Sequence, residues 1–103
     1  MKKLEPNAVR ALLAAVPEWT RERKAIRRTY VFPDFVAAMK FVNAIARAAE
    51  KAQHHPDIDI RWNRVTLILT THDAGGLTEL DFRMAGQSDR LALRHEAERV
   101  HSR

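Results

Sequence analysis

Apolar positions along this chain recur at two different spacings, and the switches between them mark the expected elements. Between Pro6 and Val16, residues Val9, Leu12, Leu13 and Val16 repeat three and four apart, which places them on one face of a helix. Pro6 suits a first helical position, and Pro17 closes the segment. From Trp19 to Phe32 the repeat drops to two. Ile26, Arg28, Tyr30 and Phe32 alternate with Ala25, Arg27, Thr29 and Val31, and the polar run from Arg21 to Lys24 marks a reversal, so a hairpin is predicted. Pro33 and Asp34 then open a long helix. Its predicted core stripe is Phe35, Met39, Val42, Ala46 and Ala49, with Lys40, Asn43, Arg47 and Glu50 lying off it. Pro56 is expected to stop this helix, because a proline forces the residue before it, His55, out of the helical region.

A second hairpin follows. Ile58, Ile60 and Trp62 alternate with Asp57, Asp59 and Arg61; Val65, Leu67 and Leu69 alternate with Thr66, Ile68 and Thr70. Asn63 and Arg64 are the predicted two-residue turn, since asparagine tolerates the left-handed conformation. Opposed residues then have numbers summing to 127, and the pairs 62/65, 60/67 and 58/69 share a face. The same register returns His72 to a position opposite His55, with His54 beside it. Beyond the hairpin, Gly75 and Gly76 supply a sharp approach to a last helix, which Thr78 caps with Asp81 at the third helical position, a variant capping box.

Composition narrows the class. The 103 residues show no break, so one domain spanning 1–103 is expected, small enough to gain from assembly into a homodimer or homotetramer. Apolar residues make up 46% and charged residues 30%, with no apolar run long enough to cross a bilayer. The start, MKKLEPNAV, lacks the apolar stretch of a secretory signal, and the chain has no cysteine; both fit a cytoplasmic protein. The formal charge of +5 comes from 18 basic and 13 acidic residues interspersed along the chain. Arg21, Arg23, Lys24, Arg27 and Arg28 gather around the first hairpin and make nucleic-acid binding the competing class. Only Trp19 and Tyr30 offer aromatic surface there, so a solvated basic face is the favoured reading and no nucleic-acid partner is expected.

Chemistry concentrates on His54, His55 and His72. His95 and His101 fall in a charged C-terminal helix and read as surface residues. Imidazole titrates near neutrality, so a cluster can supply an acid and a base in one pocket. Glu50 precedes His54 by one helical turn, a spacing that lets a carboxylate orient that ring, and the negative end of the helix acts in the same direction. A zinc shell would need the neighbouring His54 and His55 to turn both rings inward, with no supporting partner beyond Glu50, so no metal is expected. Trp62 reads as core or subunit packing rather than as a surface for stacking substrate.

The segment EKAQHHP at Glu50 to Pro56, followed by DIDIRWNRVTLILTTHDAGGLTELDF, resembles the signature of the pterin-4a-carbinolamine dehydratases. The similarity extends upstream through AIRRTYVFPDF and Trp19, covering roughly residues 10 to 85. It implies an α+β fold, three helices on one face of a four-stranded antiparallel sheet in the order α-β-β-α-β-β-α. It also implies a small-molecule pterin as ligand and loss of water from a 4a-hydroxytetrahydropterin. The product is the quinonoid dihydropterin that is recycled after an aromatic amino acid hydroxylase has used the cofactor. That step needs no cofactor or metal of its own. The matching positions make His54, His55, Pro56, Thr71, His72 and Asp73 the expected pterin-binding set. His54 and His72 would handle protons at the leaving hydroxyl and a ring nitrogen, His55 would position the pterin or share a proton, and Glu50 would orient His54; which imidazole is the acid stays open. A vertebrate branch of the family also partners a homeodomain transcription factor, and a non-catalytic binding module on the same fold is the alternative function. Three departures stand out. Gln53 occupies a position where many relatives are acidic, Leu80 one where a basic residue is common, and Gly86, Gln87 and Ser88 lie where a firmer apolar face is expected, predicting a kink or a partner there.

Overall fold

The computed structural model describes residues 1–99. Helix α1 (Pro6–Ala14) is followed by strands β1 (Thr20–Glu22) and β2 (Ala25–Val31), helix α2 (Phe35–Ala52), strands β3 (Asp57–Arg61) and β4 (Arg64–Leu69), a single 3-10 turn (His72–Ala74) and helix α3 (Glu79–Arg94). The strands form one antiparallel sheet in the order β1-β2-β4-β3, so the α+β architecture follows the α-β-β-α-β-β-α order expected from the sequence. Pairing of Ile26 with Leu69 and of Tyr30 with Val65 sets one face of β2 and β4 toward the helices, and these residues with Leu67 are almost wholly buried. The other face carries Arg27, Thr29 and Thr66, the polar half of the alternation.

α2 lies on that core through a different stripe from the predicted one. Its buried residues are Ala37, Ala38, Phe41, Ala44, Ile45 and Ala49, while Phe35 is 48% exposed, Ala46 is exposed, and Met39 and Val42 are half-buried; of the predicted stripe only Ala49 is in the core. The helix is apolar around much of its circumference, so periodicity alone offers two stripes. The alanine-rich one wins because small side chains let the helix approach the sheet closely enough for Phe41 to meet Tyr30 and Phe32 at ring-centroid distances of 4.9 and 5.0 Å.

The second hairpin is also shifted. Opposed residues of β3 and β4 sum to 125, as in Ile58 with Leu67 and Ile60 with Val65, and the turn is Trp62–Asn63. The cause is tertiary. Asn63 extends the β4 side of the sheet, accepting from the Phe32 N–H at 2.9 Å and donating its amide to the Phe32 carbonyl at 2.9 Å, which leaves Trp62 to take the left-handed corner at φ 53°. A slip of two residues preserves the faces but not the opposition of His55 and His72. Trp62, 69% exposed, is no part of this chain's core. β3 is an edge strand, and Ile58 and Ile60 remain more than a third exposed on the helix side.

At its far end the molecule is tied by polar contacts. One carboxylate oxygen of Asp89 accepts from Trp19 Nε1 (3.0 Å), from Arg28 Nη1 (2.9 Å) and from the Tyr30 hydroxyl, joining α3 to β2. Burial and the adjacent Asp89 charge push the Tyr30 hydroxyl far above its ordinary titration range. Arg28 therefore leaves the basic cluster, pairing on the core side, while Arg27 on the opposite face pairs with Glu22 at 3.2 Å. α3 runs unbroken through Gly86, where an added methyl would stand 3.6 Å from Arg90 Nη1, and buried Ser88 donates to the Met84 carbonyl at 2.7 Å. Gly86→Ala is expected to stabilise the protein by up to about 1 kcal/mol, measured as a raised urea midpoint with unchanged slope. The C-terminal helix is shorter than predicted. It ends at Arg94, His95 is its terminating residue, Glu96 takes φ 68°, and Glu98 donates to the Val31 carbonyl. His101 lies outside the described residues.

Candidate active site

The three clustered histidines reach one cleft by way of loops rather than by strand pairing. α2 stops at Ala52, ahead of Pro56, because Gln53 adopts the left-handed conformation (φ 52°, ψ 42°). The N–H of His54 then returns to the Ala49 carbonyl at 3.1 Å, a helix-terminating motif that turns the chain across the helix end. That reversal sends consecutive side chains to different surroundings: His54 is 8% exposed, whereas His55 is exposed. His72 opens the 3-10 turn after β4, and the turn is closed by an antiparallel bridge between Thr71 and Gly76 and by Gly75 at φ 76°. Gln53, His54, His55, Thr70, Thr71, His72, Asp73 and Leu80 line an open cleft of about 290 Å³. Of the expected pterin-binding set, Pro56 alone stands outside this lining.

The carboxylate partners differ from the sequence expectation. Glu50 Oε2 lies 2.6 Å from Nε2 of His55, not His54, in an exposed pair. The i,i+4 geometry that would bring Glu50 to His54 is lost once Gln53 leaves the helix. His54 Nε2 instead lies 2.6 Å from Oδ1 of Asp81, whose side chain is fully buried. The other oxygen of Asp81 accepts from the Thr78 N–H and from Thr71 Oγ1, each at 2.9 Å. Thr71 spends its only proton on Asp81, so at 2.9 Å it is Thr78 Oγ1 that donates to Thr71, and Thr78 Oγ1 accepts from the Leu80 N–H at 3.2 Å.

A carboxylate holding two donors on one oxygen at the positive end of α3 acts as an acceptor on the other, which assigns the Nε2 proton of His54 to the Asp81 bond. Nδ1 is then the nitrogen available on a ring that forms part of the cleft wall, and among the described residues it has no hydrogen-bond partner. A histidine held in one tautomer by a buried carboxylate, with its second nitrogen open, can accept or return a proton without reorienting. Asp81 is legible in the sequence as a capping residue, and Thr78 and Asp81 form the expected capping box. Its bond to His54 is not, because a cap requires nothing 27 residues away. Among the described residues no three His, Cys, Asp or Glu side chains converge closely enough to hold a metal ion.

The profile of the family described as pterin 4 alpha carbinolamine dehydratase matches residues 2–91. The chain belongs to the pterin-4a-carbinolamine dehydratase family. A protein of Acidobacterium capsulatum provisionally named a pterin-4-alpha-carbinolamine dehydratase is 54% identical over 91 residues, covering 88% of this chain and 99% of that protein. One of Thermomicrobium roseum with the same provisional name is 51% identical over 92 residues, covering 89% and 99%. The crystal structure of a transcriptional coactivator/pterin dehydratase from Brucella melitensis superposes with a TM-score of 0.85 at 35% identity, over 88% of this chain and 99% of that one. A pterin dehydratase-like protein described as a RuBisCO assembly factor of the alpha-carboxysome shares the fold at 21% identity, with a TM-score of 0.60 over 72% of this chain and 86% of that one. As a member of the dehydratase family, this chain carries the histidine pair and the returning histidine on one cleft, and no helix among the described residues is long and apolar enough to cross a membrane.

Proposed function

We propose that this protein is a cytoplasmic hydro-lyase that removes water from a 4a-hydroxytetrahydropterin, giving, at the same oxidation level, the quinonoid dihydropterin that a separate reductase can recycle. The supporting observation is the buried His54–Asp81 pair, which fixes one imidazole nitrogen and leaves the other on a cleft shared with His55 and His72. The chemistry asks for two proton transfers. The hydroxyl on C4a leaves as water only if it gains a proton, and a ring nitrogen gives one up as the new double bond forms. Positioned acid and base groups of this kind each contribute about 10² to 10⁴-fold. His54 and His72 carry these protons, His55 braced by Glu50 positions the ring, and the exposed Asp73 carboxylate matches the paired N–H donors of the 2-amino-4-oxo pyrimidine edge. Thr71 acts through Asp81, keeping its second oxygen occupied. The test is a stopped assay of carbinolamine disappearance at neutral pH. Acceleration well above the buffer rate is expected; a rate equal to buffer would hand the site to a non-catalytic binding role.

The working form we propose is a homodimer or homotetramer. β3 leaves one row of backbone groups unpaired at the sheet edge, flanked by exposed Ile58, Ile60 and Trp62, and α2 leaves Phe35 and Val36 uncovered. Antiparallel self-pairing of β3 about Ile60 would set Asp59 against the partner copy's Arg61 and Ile58 against its Trp62, a complementary register for a second copy of this chain. Light scattering should give a mass at least twice 11.8 kDa, and Ile60→Lys should lower it; a monomeric wild type would refute the assembly.

A further inference from the structure

A second cavity, of about 420 Å³, is walled by Gly75, Gly76 and Leu77, the residues that follow the His72 turn. Thr71 faces the catalytic cleft, Gly76 faces this second cavity, and the two residues are antiparallel bridge partners, so the walls are separated by a strand spacing of about 5 Å. Lys3, Arg21 and Lys24 contribute three cationic side chains to the cavity, against the single carboxylate of Glu5. Among the described residues none of the three cations is in an ion pair, whereas Arg27 and Arg28 on β2 both are.

The three cationic residues are exposed, and contacts tie Lys3 to the Gly76 loop and the Lys24 backbone to the cleft. The Lys3 stem lies over Gly76 so closely that a Cβ there would come within 2.9 Å of Lys3 Cδ, and the adjacent Leu4 N–H donates to the Leu77 carbonyl at 2.8 Å. Thr70, a residue of the catalytic cleft, donates its hydroxyl to the Lys24 carbonyl at 2.5 Å. Arg21 Nε donates to the Arg23 carbonyl at 3.1 Å, which fixes the guanidinium while leaving its terminal nitrogens available. Like charges gathered around one cavity repel, and salt screens them incompletely at separations shorter than the roughly 8 Å Debye length. Three cations and one carboxylate leave two positive charges, which a phosphate monoester, at about −1.5 to −2, neutralises.

We propose that the cavity of Lys3, Arg21 and Lys24 binds a phosphate group carried on the side chain of the pterin that occupies the neighbouring cleft, so that the preferred substrate is a phosphorylated pterin. This rests on the pterin reading of the cleft and adds the class of its side chain. Free phosphate has the same chemistry, and the experiment separates the two sources. Stable oxidised neopterin, neopterin monophosphate and inorganic phosphate are titrated calorimetrically into the full chain at 50 mM and 300 mM NaCl, and into an Arg21→Gln/Lys24→Gln variant whose fold is checked by circular dichroism.

The monophosphate is expected to bind the wild type about tenfold or more tightly than neopterin, with the advantage shrinking at high salt. In the variant the advantage should vanish while neopterin binds as before. Equal affinity of the two pterins for the wild type, or an advantage that survives in the variant, overturns the proposal. Inorganic phosphate that binds through Arg21 and Lys24 while the monophosphate gains nothing over neopterin also overturns it, leaving a free-anion site. If neither pterin binds but phosphate does, both the tail assignment and the pterin reading of the cleft fail; if both pterins bind equally, only the tail assignment fails.

Discussion

His54→Ala and His72→Ala are each expected to lower the proposed rate of carbinolamine dehydration by about 10² to 10⁴-fold, the loss that follows when one positioned acid or base is removed. The two variants differ in their cost to the fold, and that difference carries information. His72 is exposed at the start of a 3-10 turn and makes no side-chain hydrogen bond among the described residues, so its removal should leave the unfolding midpoint nearly unchanged. His54 is buried against Asp81, and alanine there strands a fully buried carboxylate oxygen without its donor, a loss of about 2 to 3 kcal/mol. Asp81→Asn distinguishes positioning from bulk stability. It keeps the side-chain volume but removes the charge that holds the Nε2 proton, so kcat should fall with KM little changed and the pH profile of kcat should move. Full activity in both histidine variants would defeat the assignment of proton transfer to this cleft.

Asp89→Ala is expected to cost about 3 kcal/mol of stability and to lower the Tm by more than about 10 °C. Asp89 is the common acceptor of Trp19, Arg28 and Tyr30, and removing it leaves a partly buried guanidinium and a buried hydroxyl with nothing to donate to. Arg28 also lies over the Tyr30 ring at 4.4 Å from its centroid, so the aromatic packing beneath α3 loosens with it. The same site gives the fold an alkaline limit. Tyr30, the only tyrosine, titrates from 10.0 when unfolded but far higher in the native state. Its contribution is complete below pH 10. Above it the unfolded chain loses a proton that the native chain keeps, so stability falls with rising pH by about 1.4 kcal/mol per unit from this group. Urea unfolding from pH 8 to 11 should show that added slope in the wild type and its absence in Tyr30→Phe; identical slopes would remove Tyr30 as the cause.

Neither the Asp89 cluster nor the His54–Asp81 bond is visible in any local pattern. Asp89 sits 59 residues beyond Tyr30, and Asp81 sits 27 beyond His54. What local pattern does carry is the sequence of elements: a repeat of two for the strands, of three and four for the helices, prolines at the breaks, and a capping box opening α3. It also carries the gathering of His54, His55 and His72. The register that the hydrophobic pattern predicts differs by two residues from the observed one, yet the histidines share a cleft, because the end of α2 and the end of β4 are adjacent whichever two residues make the turn at the far end of the hairpin.

The sequence by itself thus determined the order of strands and helices, the sheet face that is buried and the identity of the imidazoles, since each follows from short-range periodicity and steric breaks. Only the tertiary structure decided the partners. Gln53 turns left-handed, giving Glu50 to His55 and delivering His54 to Asp81; Asn63 joins the Phe32 ladder and moves the turn; the alanines of α2 take the core because they allow the closest approach. In each case the local pattern admits more than one arrangement, and contacts distant in the chain select one.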